Sequence, residues 1–228
     1  MISDRLNLIE LEERAALLEK GLTSSEPLVR IVDDDDELRK GIAFLLSCEG
    51  IENKGFSSAE DYLSEYHPSR PGCIILDIKM SGASGIELQK RLIEVGNSLP
   101  IIFLSGHGTL PLAVETLRKG AVDFQEKPFD PDRLLASVHQ AIEKNIRERN
   151  ESDILSQTIA SYRQLSSREK QVLKDASQLL SNKEIGEHLG ISFKTVEVHR
   201  SNCFHKLKIR KAKEAKQLLD ILKRIGVV

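Results

Sequence analysis

The chain is short of the features that would place it in a membrane, a secretory route or a disulfide-stapled scaffold. No apolar run approaches the ~18 residues that a membrane span needs, counted along the whole sequence. Its first residues, Met1-Ile2-Ser3-Asp4-Arg5, turn acidic instead of leading into an apolar stretch, so no secretory signal is read there. Only three cysteines occur, Cys48, Cys73 and Cys203, an odd number, far apart and without metal-type spacing. They read as reduced structural thiols, which fits a cytoplasmic protein. There is no Gly-rich phosphate-binding motif, no internal repeat and no low-complexity tract. Glycine and proline are both missing from Arg133 to Ser161, which leaves that stretch free to form a long helix.

What is present is the composition of a soluble globular protein, 40% hydrophobic and 30% charged, over 228 residues, enough for two domains. A net charge of −2 hides an asymmetry. Residues 163–228 carry 15 Lys and Arg against 7 Asp and Glu, so the acidic surplus lies in residues 1–162. An acidic front and a basic back suggest two tasks, and the back has the charge of a nucleic-acid binder.

Four segments are expected. Residues 1–26 form an N-terminal helix in which Leu8, Leu11, Ala15, Leu18 and Leu22 are spaced as a short coiled-coil seam or as a face docked on the chain's own domain. From 27 to 146, apolar runs at Leu28–Val32, Ile51–Phe56, Cys73–Leu76, Ile101–Leu104 and Val122–Phe124 alternate with helical patterns at 36–47, 58–65, 85–95, 111–119 and 131–148. Five strands alternating with five helices predict a parallel α/β sheet covered on both faces. Residues 147–162 read as an exposed helical linker. Residues 163–228 read as an all-α unit.

In a parallel sheet the reactive crevice lies beyond the carboxyl ends of the strands. The first strand runs into Asp33-Asp34-Asp35-Asp36, the third ends at Asp77, the fourth leads to Ser105 and the fifth to Lys127-Pro128. Alone, the Asp33–Asp36 run reads as a helix cap. Gathered at one edge, carboxylates repel unless a cation sits among them. Oxygen-only donors suit Mg²⁺, which bridges carboxylates to phosphate oxygens. Phosphoryl transfer asks mainly for positioning and charge stabilisation, which metal, amine and hydroxyl supply.

Through Ile31-Val32-Asp33-Asp34, Leu76-Asp77-Ile78-Lys79-Met80, Ser105-Gly106-His107-Gly108 and Glu126-Lys127-Pro128-Phe129, this half resembles the receiver domains of response regulators, most nearly the FixJ type. The resemblance implies a flavodoxin-like (βα)5 fold with Asp77 as phosphoacceptor. It implies Mg²⁺ ligation by Asp34 and Asp77, by Asp33 largely through water, and by the Lys79 carbonyl. Ser105 and Lys127 would contact the phosphoryl group, Lys127 through a cis peptide bond to Pro128. Phe124 would be an aromatic that moves on activation. Two positions depart from the pattern: Ser81 stands where proline usually follows the methionine, and Ser105 where threonine is common. His107 reads as a solvated loop histidine.

In the basic back, residues 167–180 form an amphipathic helix with Val172, Leu173, Ala176, Leu179 and Leu180 on its apolar side. A short helix begins at Ser181 or Asn182 and is ended by Gly190; a third, capped by Ser192, runs from Phe193 to about Leu207. Its spacing buries Val196, Cys203 and Leu207 with His199 or Arg200, and exposes Lys194, Val198 and Ser201. Such a helix–turn–helix is a major-groove reader, with Lys206, Lys208, Arg210, Lys211, Lys213 and Lys216 near for phosphates. From Leu165-Ser166-Ser167-Arg168-Glu169 through Thr195-Val196-Glu197-Val198-His199-Arg200 the segment resembles the LuxR/GerE-type DNA-binding domain. That resemblance implies base contacts by Lys194, Glu197, Val198 and Ser201, phosphate contacts by Lys183, Thr195, His199 and Arg200, and dimerisation through Leu218, Leu219, Ile221 and Leu222.

Together these imply a phosphoryl acceptor rather than an enzyme with turnover. A sensor histidine kinase would be one partner, double-stranded DNA with two half-sites a second, and RNA polymerase a third; phosphorylation would drive homodimerisation. A regulator gated by a protein partner without phosphorylation is the alternative. An aspartyl-phosphate phosphatase fits less well, because Lys79 stands where such enzymes need a second aspartate.

Overall fold

A computed structural model of the chain describes residues 26–106 and 109–228. The helix and seam expected before Glu26, and His107, lie outside the described residues. The chain divides into two compact units, Met1–Glu151 and Ser152–Val228.

The first unit carries five parallel strands: β1 (Leu28–Val32), β2 (Glu52–Phe56), β3 (Gly72–Asp77), β4 (Ile101–Ser105) and β5 (Asp123–Glu126). Between and after them run α1 (Asp36–Cys48), α2 (Ala59–Ser64), α3 (Gly85–Glu94), α4 (Leu110–Arg118) and α5 (Pro131–Arg163). Strand order is β2-β1-β3-β4-β5, so the order reverses at β1 and a crevice opens between the carboxyl ends of β1 and β3.

Alternation along the strands produces two cores. Val32, Ile74, Leu76 and Phe103 face Tyr62, Leu88 and Leu92 from α2 and α3. On the other side Val29, Ile31, Ile75, Ile102 and Leu104 face Ile42 and Leu46 from α1 and Leu134, Val138 and Ala141 from α5. All six residues of β3 are buried, as expected for a strand covered on both faces.

The residues expected as an exposed helical linker, 147–162, all lie in α5 and are mostly exposed or part-exposed, with contacts at each end. Near the linker's start, Arg149 donates to the carbonyls of Ser69 and Pro68, and its Nε lies 2.9 Å from Asn145 Oδ1. Near its end, Tyr162 is buried and Ile159 packs on the core of the second unit. Polar composition hid these anchors, since Arg149 uses carbonyl acceptors that have no sequence signature.

The second unit continues with α6 (Ser167–Ser177), α7 (Asn182–Leu189), α8 (Phe193–Lys206) and α9 (Ala212–Arg224). Ser166 and Ser181 form capping boxes with Glu169 and Glu184. Helix α6 stops earlier than its apolar spacing predicts. Leu179 has φ of 66° and is 68% exposed, so it belongs to the turn and not to the core. Leu218, Leu219 and Leu222 also correct an expectation. They fill this unit's own core beside Val172, Leu173 and Cys203, which leaves only Ile221 of the proposed dimer set part-exposed.

Candidate functional site

The strand ends converge as their sequence order predicts. Asp33 follows β1 and is buried; its Oδ1 accepts the Asp35 N–H at 2.9 Å. Asp35 then caps α1 by accepting from the amides of Glu37 and Leu38, so the acidic run is both a cap and a site. Asp77 is the last residue of β3. Register pairs it with Leu104, which places Ser105, also buried, one residue further along the same edge. The Lys127 N–H donates to the Ser105 carbonyl at 2.8 Å, and the Lys127–Pro128 bond is cis. Lys127 Nζ then lies 2.8 Å from Asp33 Oδ2 and 2.7 Å from Asp77 Oδ1.

Asp33, Asp34 and Asp77 each bring a carboxylate oxygen within 4.8 Å of the others. Among the described residues Lys127 is the one ammonium paired with Asp33 and Asp77, so negative charge outnumbers positive. Burial raises the Asp77 carboxyl above its ordinary value, Lys127 pulls it back, and Asp33 and Asp34 add to the rise. Burial alone would lower Lys127, but its hydrogen bonds to Asp33 and Asp77 prevail and hold it above its ordinary range. Asp34 is exposed, and the hydrogen bond from the Ser81 N–H (2.7 Å) holds its carboxyl low. An oxygen-only pocket with unbalanced negative charge fits a hard divalent cation such as Mg²⁺.

Helix α3 begins against this pocket. A Cβ on Gly85 would lie 2.1 Å from the Asp77 carbonyl oxygen, so only glycine lets the helix start there. Lys79 is exposed in the preceding turn. Phe124 pairs with Phe103 in register and is half-buried against the α2–α3 core.

A second candidate site lies on α7 and α8. Gly190 ends α7 in the left-handed region at φ 66°, and the Ser192 hydroxyl accepts the Thr195 N–H at 3.1 Å to start α8. Val196 and Cys203 point into the core, leaving Lys194, Thr195, Glu197, Val198 and Ser201 exposed on one side of α8 and Lys183 exposed on α7. His199 is half-buried. Arg200, also half-buried, donates from its guanidinium to Asn182 Oδ1 at 2.7 Å and stacks over Phe204, tying α8 to α7. Beneath them Lys206 Nζ lies 2.8 Å from buried Glu169, joining α8 to α6.

Comparison with known proteins agrees with both halves. Residues 29–139 match the response regulator receiver domain, and residues 163–219 match the luxR family of bacterial regulatory proteins. Over 180 residues the chain is 41% identical to the transcriptional regulatory protein FixJ of Azorhizobium caulinodans, covering 79% of this chain and 85% of that one. The chain belongs to the response regulators. This response regulator is also 37% identical over 202 residues to the response regulator protein TmoT of Ectopseudomonas mendocina, covering 89% and 92%. Among solved structures, that of the response regulator StyR aligns with a TM-score of 0.78 at 36% identity, covering 86% and 100%.

As a response regulator with a LuxR-type domain, the protein acts in transcription regulation through DNA, and its receiver implies a histidine kinase partner. Among its described residues no helix is long and apolar enough to cross a membrane. Three parts of the response regulator's sites escaped the sequence: the closeness of Gly85 to Asp77, the Glu169–Lys206 pair and the Ser81 N–H on Asp34. The last two join residues distant in sequence, and the first is a close backbone approach; none carries a local pattern. For the third, serine at 81 was visible, but its amide's partner was not.

Proposed function

We propose that Asp77 accepts a phosphoryl group from a sensor histidine kinase in the cytoplasm, and that this charge change controls dimerisation and DNA binding. The observation that carries the reading is Lys127 Nζ shared between Asp33 and Asp77 in a pocket where carboxylates outnumber it. In the transfer, an Asp77 oxygen forms a bond to phosphorus while the bond from phosphorus to the donor histidine nitrogen breaks and its electrons stay on that nitrogen. Asp34, Asp77, the Lys79 carbonyl and, through water, Asp33 would hold Mg²⁺, which when bound supplies charge to offset the phosphoryl oxygens. Lys127 would release one carboxylate to pair with a phosphoryl oxygen, and Ser105 would donate its hydroxyl. Phe124, half-buried beside Ser105's strand, would turn inward as Ser105 moves.

Receivers would then pair through α4, where Leu110, Val114 and Leu117 form an exposed apolar stripe at helical spacing. Paired LuxR-type modules would read two half-sites about one DNA turn apart. Lys194, Glu197, Val198 and Ser201 would meet base edges, with Lys183, Thr195 and His199 on phosphates, and RNA polymerase would be recruited. Residues 27–146 would form the receiver, 147–162 the linker and 163–228 the DNA-binding module. Treating the protein with acetyl phosphate and Mg²⁺ should add the mass of one phosphoryl group, lost in Asp77→Asn, and should tighten binding to promoter DNA. An unmodified protein that binds DNA equally well with and without phosphodonor would overturn the reading.

A further inference from the structure

The turn between β3 and α3 reaches across the acidic pocket. Asp34 Oδ2 accepts the main-chain N–H of Ser81 at 2.7 Å, over 47 positions of sequence. Gly82 follows with φ of 86°, left-handed backbone that a glycine adopts at little cost. Ser81's amide is thereby aimed at Asp34. Asp34 is otherwise exposed, on a side chain with rotatable bonds that would have to be ordered when it met a cation.

We propose that Ser81 is a positioning residue for the cation site, its main-chain N–H holding the Asp34 carboxylate turned toward Asp33 and Asp77. The proposal rests on the reading of this pocket as a phosphoacceptor site with Asp34 as a cation ligand. A carboxylate offers about four lone-pair sites; the amide takes one and leaves the rest for a divalent cation. Orientation is settled before the cation arrives, and outer contacts of this kind tune metal affinity without touching the metal. The working atom belongs to the main chain, so the serine hydroxyl is dispensable and the amide is not. Proline is the one residue that lacks it. That separates two variants that leave the formal charge alone: Ser81→Ala keeps the donor, and Ser81→Pro deletes it.

The test is a titration of the full-length protein with MgCl₂ by isothermal calorimetry. Ser81→Ala should bind within about twofold of the parent and Ser81→Pro about tenfold more weakly, the lower end of what lost outer contacts cost a metal site. Equal affinities in all three proteins, or tighter binding by Ser81→Pro, would overturn the proposal. A second measurement needs no proline variant to fold. In the metal-free protein the Ser81 amide proton should resonate downfield and exchange slowly, and Asp34→Ala should remove both properties. An amide indifferent to Asp34→Ala sinks the idea. If the parent neither binds Mg²⁺ nor gains a phosphoryl group, the phosphoacceptor reading itself falls and takes this one with it. Should the parent do both while Ser81→Pro binds Mg²⁺ as it does, only the role of Ser81 is lost.

Discussion

Each half of the molecule buries carboxylates beside a lysine, with opposite electrostatic results. In the second unit Lys206 pairs with Glu169 and, among the described residues, with no other carboxylate, and the Ser166 N–H adds a further bond at 2.8 Å. Burial would raise Glu169, but Lys206 and Ser166 prevail and its carboxyl sits below its ordinary value. In the first unit Lys127 is divided between Asp33 and Asp77 with Asp34 nearby, and Asp77 ends above its ordinary value. A balanced carboxylate braces two helices, α6 and α8. An under-balanced one is poised for something positive to arrive. The difference separates a structural pair from the proposed phosphoacceptor pocket made of the same residue types.

The comparison breaks first on chemistry. Asp77→Asn should abolish phosphoryl gain, while Glu169→Gln should leave it intact, both read by intact mass after acetyl phosphate treatment. If the two variants behaved alike, the charge deficit around Asp77 would have no chemical meaning.

Next in size is the removal of each lysine. Lys127→Ala leaves two buried carboxylates without their cation and should cost roughly 2–3 kcal/mol without metal, below the 3–5 kcal/mol of a fully buried broken pair. Added Mg²⁺ should restore part of that, because it binds the folded state alone. Lys206→Ala should cost about 1–2 kcal/mol, less because the lysine is part-exposed, with no recovery from Mg²⁺. Urea denaturation with and without MgCl₂ measures all four quantities.

Gly85→Ala probes the place where the reactive site and the fold cannot be separated. Its Cβ would meet the Asp77 carbonyl, so either α3 or Asp77 must shift, at about 1–3 kcal/mol as in other overpacked cores. Thermal unfolding should show the loss, and phosphorylation should slow with it. A variant with unchanged stability would mean that α3 starts elsewhere.

The smallest effect is on acid stability, and there the two carboxylates have opposite signs. Glu169 has a depressed pKa, so its stabilisation is present above 4.5 and fades as pH falls through its folded value. Asp77 has a raised pKa, so the native state holds its proton more tightly and its contribution declines as pH climbs above 3.8. Glu169→Gln should therefore flatten the loss of stability between about pH 6 and pH 3, and Asp77→Asn should steepen it. Parallel profiles would show that the pair differ less than their surroundings imply.

Much of this fold is legible in the amino-acid sequence. The apolar runs placed all five strands to within about two residues, the usual uncertainty of element ends. Ser181, Gly190 and Ser192 each cap or close the helix they were expected to, because caps act over three or four residues. The site's membership followed from strand ends, since a parallel sheet delivers them to one edge. What misled were signals with two possible owners. An apolar stripe on α9 says that something covers it, and the cover turned out to be the unit's own core. Leu179 keeps helical spacing, yet its N–H bonds the Ala176 carbonyl in a tight turn and the side chain faces water.

The order of residues along the chain determined which groups could react and which helix faces are polar, because periodicity and capping are written in neighbouring positions. Tertiary structure alone decided how charge is shared: that one ammonium divides itself between two carboxylates, that another is spent on one, and that an amide 47 residues away holds Asp34. Those outcomes depend on distances of a few ångströms between segments remote in sequence, where Coulomb energy and hydrogen bonding change steeply and no local pattern records them.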